Sequence, residues 1–316
     1  MSEATTPTCP PTAARPSVRI RHSTSLGPYS HLRIERNLLV TDWSALGEGE
    51  FALRARWPEA GSDPLRDPRL LLRTVRQSGL IVAHAAYGVP LSHQTLLRAL
   101  EYEIPTPVPD PGAPPGAAGG TGRTHAVTVD LSVAPTSRHG RVGSLSMRFR
   151  IRRPGAPTAR ARATFDYVSP TAYRRLRGER AEVAWADWPV PPGIEPERAG
   201  RYDPRNVVLA ADGRPHGWLL RNDTADDVLF DHPVDHVPGL VLMEAADQAA
   251  RARLFPVLYA PTRVRMEFSR YVEFDRPCVI EAEPFREPDA PGLSVRVTGS
   301  QDGEQAVRAE LYGTVE

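Results

Sequence analysis

Two histidines and two aspartates surround one proline in Asp-His-Pro-Val-Asp-His, residues 231–236, and Val-Pro-Gly then leads into an almost wholly apolar segment. The ordinary pKa of a histidine lies near neutrality, so His232 and His236 can each take or give a proton. The apolar segment, residues 239–251, carries Glu244, Asp247 and Gln248 at i, i+3 and i+4, which places them on one face of a helix. Val241, Leu242, Met243, Ala245, Ala246, Ala249 and Ala250 cover the other sides, the pattern of a buried helix. An unpaired carboxylate buried there costs several kcal/mol or keeps its proton. The face therefore has a partner, a function, or both. A loop that folds back onto its helix brings His232 or His236 toward Glu244, and these three are the candidate acid/base groups. The amides of Gly239 and Leu240, at the helix start, can polarise a bound carbonyl. The four-residue spacing of the histidines invites a metal, but Pro233 opposes a helix and no His-Glu-x-x-His run exists, so no metal is expected.

The element that must face this helix is found upstream. "LLLRTVRQSGLIVAHAAYGVP" (70–90) matches "VLMEAADQAARARLFPVLYAP" (241–261): one offset of 171 residues pairs Arg73 with Glu244, Gln77 with Gln248 and Pro90 with Pro261. "LLVTD" (38–42) and "VLAAD" (208–212) match at nearly the same offset, which argues for a duplicated unit. Arg73, Arg76 and Gln77 occupy the positions of Glu244, Asp247 and Gln248, so one helix carries two arginines and the other two acids. Side by side, the two stripes can neutralise each other, with Arg73 opposite Asp247. His84 and His93 are expected to be packing residues.

Around each helix lie short alternating or β-branched runs: "NVVLA", "HGWLLR", "TRVRMEFSRYVEF", "CVIEAEPF", "LSVRVTG" and "AVRAELYGTV" in the second unit. A buried central helix wrapped by an antiparallel sheet fits that order, giving an α+β tandem (double) hot-dog. Proline and glycine mark the joints. The expected layout is a disordered segment at 1–27, a first domain at 28–180, a linker at 181–200 and a second domain at 201–316, with a flexible Pro/Gly insertion at 105–122.

Composition removes other classes. The 316 residues are 41% hydrophobic and 24% charged with a net charge of +1, so neither nucleic acid nor an anionic membrane is expected as the main partner. Every basic residue other than histidine is arginine, which excludes a Schiff-base lysine, a covalent pyridoxal phosphate site and a P-loop. No Gly-x-Ser-x-Gly elbow occurs, and no cofactor is expected. Cys9 and Cys278 form no disulfide framework, and no signal core or membrane span is evident, so the expectation is a cytoplasmic protein.

"FDHPVDHVPGLVLMEAADQAA" resembles the second-half motif of the A-factor biosynthesis family, enzymes of γ-butyrolactone and butenolide signal formation in secondary metabolism. "VRQSGLIVAHAAYGVPLSHQ" and "HLRIERNLLVTDW" resemble its first half. The second helix is also similar to that of hydroxyacyl thioester dehydratases, where a loop histidine and a helix glutamate act; His232 or His236 and Glu244 match them. The resemblance implies transfer of a β-ketoacyl group from acyl carrier protein to dihydroxyacetone phosphate, a small phosphorylated three-carbon substrate, followed by aldol-type ring closure. Arg73, Arg76, Arg263 and Arg265 are the candidate phosphate ligands, and Gln77, Asp247 and Gln248 complete the expected lining. The family pattern has glutamate at position 73 and arginine at position 247. The sorted charges here predict weak use of the phosphorylated acceptor and keep two other classes open: a dehydratase, thioesterase or cyclase for a carrier-bound chain, and a non-catalytic acyl-binding module.

Overall fold

The structure, a computed structural model, describes residues 26–59, 63, 67–105, 124–138, 140–182, 188–287 and 292–315. Cys9, nearly all of the expected disordered start and all but Pro105 of the expected insertion lie outside the described residues.

The first half comprises β1 (Val40–Gly47), β2 (Glu50–Pro58), α1 (Arg69–Ala85), β3 (Gln94–Glu103), β4 (Thr124–Arg138), β5 (Arg141–Arg152), β6 (Ala159–Val168) and α2 (Pro170–Arg177). The second comprises β7 (Leu209–Ala211), β8 (Gly217–Leu220), α3 (Gly239–Leu254), β9 (Tyr259–Phe268), β10 (Val279–Phe285), β11 (Leu293–Gln301) and β12 (Glu304–Val315). Apart from α2, the two lists have the same order of elements.

All strands join one antiparallel sheet ordered β1-β2-β4-β5-β6-β3-β9-β12-β11-β10-β8-β7, which reads as the same half twice in opposite directions. The halves meet where β3 pairs with β9, from Ala99 opposite Glu267 to Glu103 opposite Arg263. This is a tandem hot-dog: each half wraps its sheet around one central helix. Strict inside–outside alternation drives the wrapping. In β5, Leu145, Met147, Phe149 and Ile151 point into the core, while Arg148, Arg150 and Arg152 stay outside.

α1 and α3 pack against each other as well as against the sheet. α1 is buried over most of its surface, and Gly79 lets the sheet come close: a Cβ there would meet Met147 Sδ at 3.0 Å and Phe165 Cε2 at 3.1 Å. α3 achieves the same closeness with Ala245, Ala246, Ala249 and Ala250, all buried.

The two matched glutamines explain part of the polar stripe. Gln77 Oε1 accepts from Leu39 N (2.7 Å) and Val40 N (3.2 Å), while its Nε2 donates to Asn37 O (2.8 Å). Gln248 repeats this with Val208 N (2.9 Å) and Asn206 O (2.7 Å). Each amide thus ties its helix to the chain entering the first strand of its half. The strand expected over "TRVRMEFSRYVEF" ends at Phe268, because the chain then turns to hold the histidine loop: Val272 O accepts from Val237 N at 2.9 Å.

Candidate active site

The histidine loop is held at two points, one per aspartate. Asp231 accepts from Arg33 N (2.6 Å), Ile34 N (3.1 Å) and Asn37 Nδ2 (3.1 Å), so the first half grips the loop of the second. His232 Nδ1 donates to Asp231 Oδ2 at 3.2 Å. Burial alone raises a carboxylate's pKa, but these hydrogen bonds favour the anion and hold Asp231 below its usual range. His236 Nδ1 lies 2.8 Å from Asp235 Oδ1. Asp235 also receives the Tyr173 hydroxyl and, at 3.0 Å, Arg177 Nε. Burial opposes its ionisation, but the His236, Tyr173 and Arg177 contacts win and bring Asp235 down to about 2. Arg177 further donates to both oxygens of Glu273, at 2.6 and 2.9 Å, and its guanidinium lies 4.2 Å from the centroid of Tyr271. α2 thus carries a first-half arginine and tyrosine across to fix His236. With Nδ1 donating to a carboxylate, each neutral imidazole keeps Nε2 as an acceptor.

Both histidines line a cavity of about 650 Å³ between the helices and the sheet. Leu72, Val75, Leu80, Leu100, Phe165 and Met243 make its depth apolar. Gly239 and Leu240 line it too, and no side chain caps the start of α3, so the first amides of that helix are left for a ligand or water. A smaller recess of about 70 Å³ adjoins, lined by Asn37, Arg73, Arg76 and Gln77; His232 borders both spaces.

Arg73 and Arg76 line the recess together with the Asp231 carboxylate. Arg73 donates to Asn37 O at 2.8 Å and Arg76 to Ser30 O at 3.3 Å, and among the described residues neither has a carboxylate at ion-pair distance. Burial is the main influence lowering the pKa of both. Two half-buried guanidinium groups that hydrogen-bond only to carbonyl oxygens, with Asp231 as the carboxylate lining the same recess, leave room for a further anion beside them.

The acids expected at the centre of the site are elsewhere. Glu244 and Asp247 line neither space. Arg201 lies between them, with Nε 2.7 Å from Glu244 Oε1 and an amino nitrogen 2.9 Å from Asp247 Oδ2. Gln248 Nε2 donates to Glu244 Oε1 at 2.6 Å, and Arg251 Nε to Asp247 Oδ2 at 2.8 Å. Burial would raise Asp247, but Arg251 and Arg201 hold it down, and the acids raise Arg201 in return. Glu244 is therefore not brought to the histidines, whose carboxylates are Asp231 and Asp235. Arg73 does not meet Asp247. The expected repulsion between Asp247 and a bound phosphate lapses, because Asp247 already has two arginine partners. Gln248 is sealed in the core, and Gln77 reaches only the recess. Arg263 and Arg265 sit on the outer sheet face against Glu101, away from the cavity.

Sequence reasoning passed over His31. It lines the cavity, with Nε2 2.8 Å from His84 Nε2, and His84 Nδ1 lies 2.7 Å from Val89 O. Burial, then His84, Arg76 and His232, lower His31 to about 4. Tyr173, Arg177 and Arg201 were also missed. Their partners are distant in sequence, so no local spacing marks them. The only signal for His31 is its place in the first-half segment that resembles the family.

Fold and cavity define a double hot-dog protein with a deep apolar cavity that ends in polar and cationic groups. Among solved structures, the 12:0-ACP thioesterase from Umbellularia californica shares this fold at 11% identity and a TM-score of 0.51, over 84% of this chain and 98% of that one. An acyl-ACP thioesterase from Bacteroides thetaiotaomicron does so at 13% identity and 0.50, over 84% and 98%. The sequence matches the A-factor biosynthesis hotdog domain over residues 28–169 and again over 186–315, and the chain belongs to that family. A relative from Streptomyces virginiae, named 2-oxo-3-(phosphooxy)propyl 3-oxoalkanoate synthase, is 39% identical over 290 residues, 90% of this chain and 95% of the relative. Proteins of the same name from Streptomyces coelicolor and Streptomyces griseus are 36% and 35% identical, over 78% and 86% of this chain and 76% and 89% of theirs.

Proposed function

We propose that this protein is a synthase of the same kind, transferring a β-ketoacyl group from an acyl carrier protein thioester to the hydroxyl of dihydroxyacetone phosphate. The observation that carries the reading is the junction at His232: an apolar cavity for an acyl chain on one side, a two-arginine recess for an anion on the other. The relatives' name supplies the matching product, a phosphorylated oxopropyl ester of a 3-oxoalkanoate.

The residues divide the work by position. The acyl chain lies among Leu72, Val75, Leu100 and Met243, and the thioester carbonyl faces the amides of Gly239 and Leu240. Arg76 and Arg73 hold the phosphate. His232 Nε2 takes the hydroxyl proton as the new C–O bond forms, while Asp231 holds its ring. The tetrahedral oxyanion rests on the helix amides. The C–S bond then breaks, and the sulfur leaves with the proton that His232 Nε2 took from the hydroxyl, while His236, held by Asp235, lines the cavity beside it. One proton leaves the hydroxyl and one reaches the thiol, so the exchange balances. Glu244, Asp247 and Arg201 keep the second half folded.

The test is intact-mass analysis of β-ketoacyl carrier protein incubated with the enzyme. The expected result is loss of the acyl mass only when dihydroxyacetone phosphate is present, together with a phosphorylated ester in the small-molecule fraction. Equal deacylation without the acceptor would mean hydrolysis and overturn the reading.

A further inference from the structure

A hydroxyl acceptor needs more than a base: its proton must point at an acceptor atom before attack, and the cavity wall near the recess is rich in donors. Arg73, Arg76 and the amides of Gly239 and Leu240 can only donate. His31 and His232 Nε2 are the imidazole acceptors beside them. His31 faces Arg76 and His84 from α1 and His232 from the loop.

The hydrogen bonds of His31 fix where its proton sits. Only an N–H can face the Val89 carbonyl 2.7 Å away, so His84 carries its proton on Nδ1 and its Nε2 is bare. The 2.8 Å contact between the two Nε2 atoms then requires His31 to donate from Nε2, because two bare nitrogens repel. The rings suit such a bond, with planes 20° from parallel and centroids 4.7 Å apart. The neutral His31 is left with a bare Nδ1. Arg76 alongside opposes a second proton.

The backbone offers an independent sign. His31 adopts φ 56° and ψ 33°, the left-handed region that side chains disfavour. Counting back equally from Asn37 and Asn206, which the paired glutamines grip, His31 falls opposite Gly200, itself at φ 66°. One half makes this corner with glycine; the other keeps an imidazole there against the conformational preference and turns it into the cavity.

We propose that His31 is a third histidine of the active centre: its bare Nδ1 accepts the hydrogen bond of the acceptor's hydroxyl as the substrate binds, the hydroxyl then turns that hydrogen to His232 Nε2 for attack, and His84 sets the tautomer of His31. His31 binds substrate here; His84 is a positioning residue. The proposal rests on the acyl-transfer reading above, since it needs a hydroxyl acceptor.

His31→Gly adopts the conformation already used at Gly200, so it removes the ring without backbone strain. The experiment measures, on wild type, His31→Gly and His84→Phe, the transfer of a β-ketoacyl group to dihydroxyacetone phosphate, any acyl loss without acceptor, the thermal melt, and the ¹⁵N shifts of the histidine rings at neutral pH. His31→Gly is expected to lose on the order of 10²-fold in kcat/KM for the acceptor, as for misplacement of a reacting group, with the melting temperature unchanged. Wild-type His31 is expected to show a protonated Nε2 and a bare Nδ1. His84→Phe is expected to lose that single tautomer and part of the transfer rate. Normal transfer by His31→Gly, or a protonated Nδ1 in wild type, overturns the role of His31 alone. Wild-type hydrolysis with no transfer overturns the acyl-transfer reading, and the acceptor role with it.

Discussion

Duplication gives this molecule two equivalent junctions, and it uses them in opposite ways. At the first, α3 begins against the arginines of α1: no side chain caps the helix start, Arg73 and Arg76 have no carboxylate at ion-pair distance among the described residues, and a cavity opens. At the second, α1 begins near the acids of α3. There Asp67 accepts from Arg69 N at 3.0 Å and binds the Arg69 guanidinium, while Arg201 and Arg251 neutralise Glu244 and Asp247. Arg69 senses both Glu244 and Arg201, so the second junction is one connected ionic cluster. The difference lies in which charges have partners. A junction whose charges are matched is structure; one left with unmatched arginines is a place for an anion.

The largest effects should come from breaking each junction at its key group. His232→Gln should lower transfer by 10²–10⁴-fold, as for loss of a general base, with little change in thermal stability. Arg201→Met removes the charge between two buried acids and should cost about 3–5 kcal/mol of unfolding free energy, read from denaturant melts. If that variant is as stable as wild type, the closed junction is not what holds the second half. Arg76→Met tests the opposite case: removing a guanidinium that lacks an ion-pair partner should leave stability unchanged or higher. Its transfer should nonetheless fall by roughly 10²-fold, with a raised KM for the phosphorylated acceptor.

A further test uses pH. Asp235 is held down to about 2, so its contribution is present above the unfolded value of about 3.8 and is lost as pH falls through that window. Acid melts should therefore show a stability loss between about pH 4 and 2, smaller in Asp235→Asn. The smallest effect concerns Arg73 and Asp247. They do not meet, so the double reversal Arg73→Asp with Asp247→Arg should be additive within about 0.5 kcal/mol; recovery of stability would place them in contact.

The parts of this account that are periodic or local could be read from the sequence. The matched helices, the glutamines Gln77 and Gln248 and the His232–His236 loop are such features, and they led to the tandem hot-dog and the family. The pairing of charges could not be read, because it is tertiary. Arg201 follows a Pro/Gly-rich stretch with no periodicity, yet it decides what Glu244 does. Tyr173 and Arg177 come from the end of the other half. Asp231 and Asp235 were visible beside the histidines, but adjacency alone did not show that each would orient its neighbour. The carboxylate stripe on α3 drew attention because burying it is costly, and the arginine partners meet that cost for Asp247 and for Glu244 Oε1, while Glu244 Oε2 has no hydrogen-bond partner among the described residues.

The measurement that bears most directly on the two-junction account is the transfer rate of Glu244→Gln, set beside its melting curve. The substitution keeps the shape and removes the charge that faces Arg201. If the closed junction is structural, kcat/KM stays within about three-fold of wild type in the folded protein while stability drops, because Arg201 loses part of its compensation. A fall of two orders of magnitude in a well-folded variant would contradict the account and return Glu244 to the chemistry.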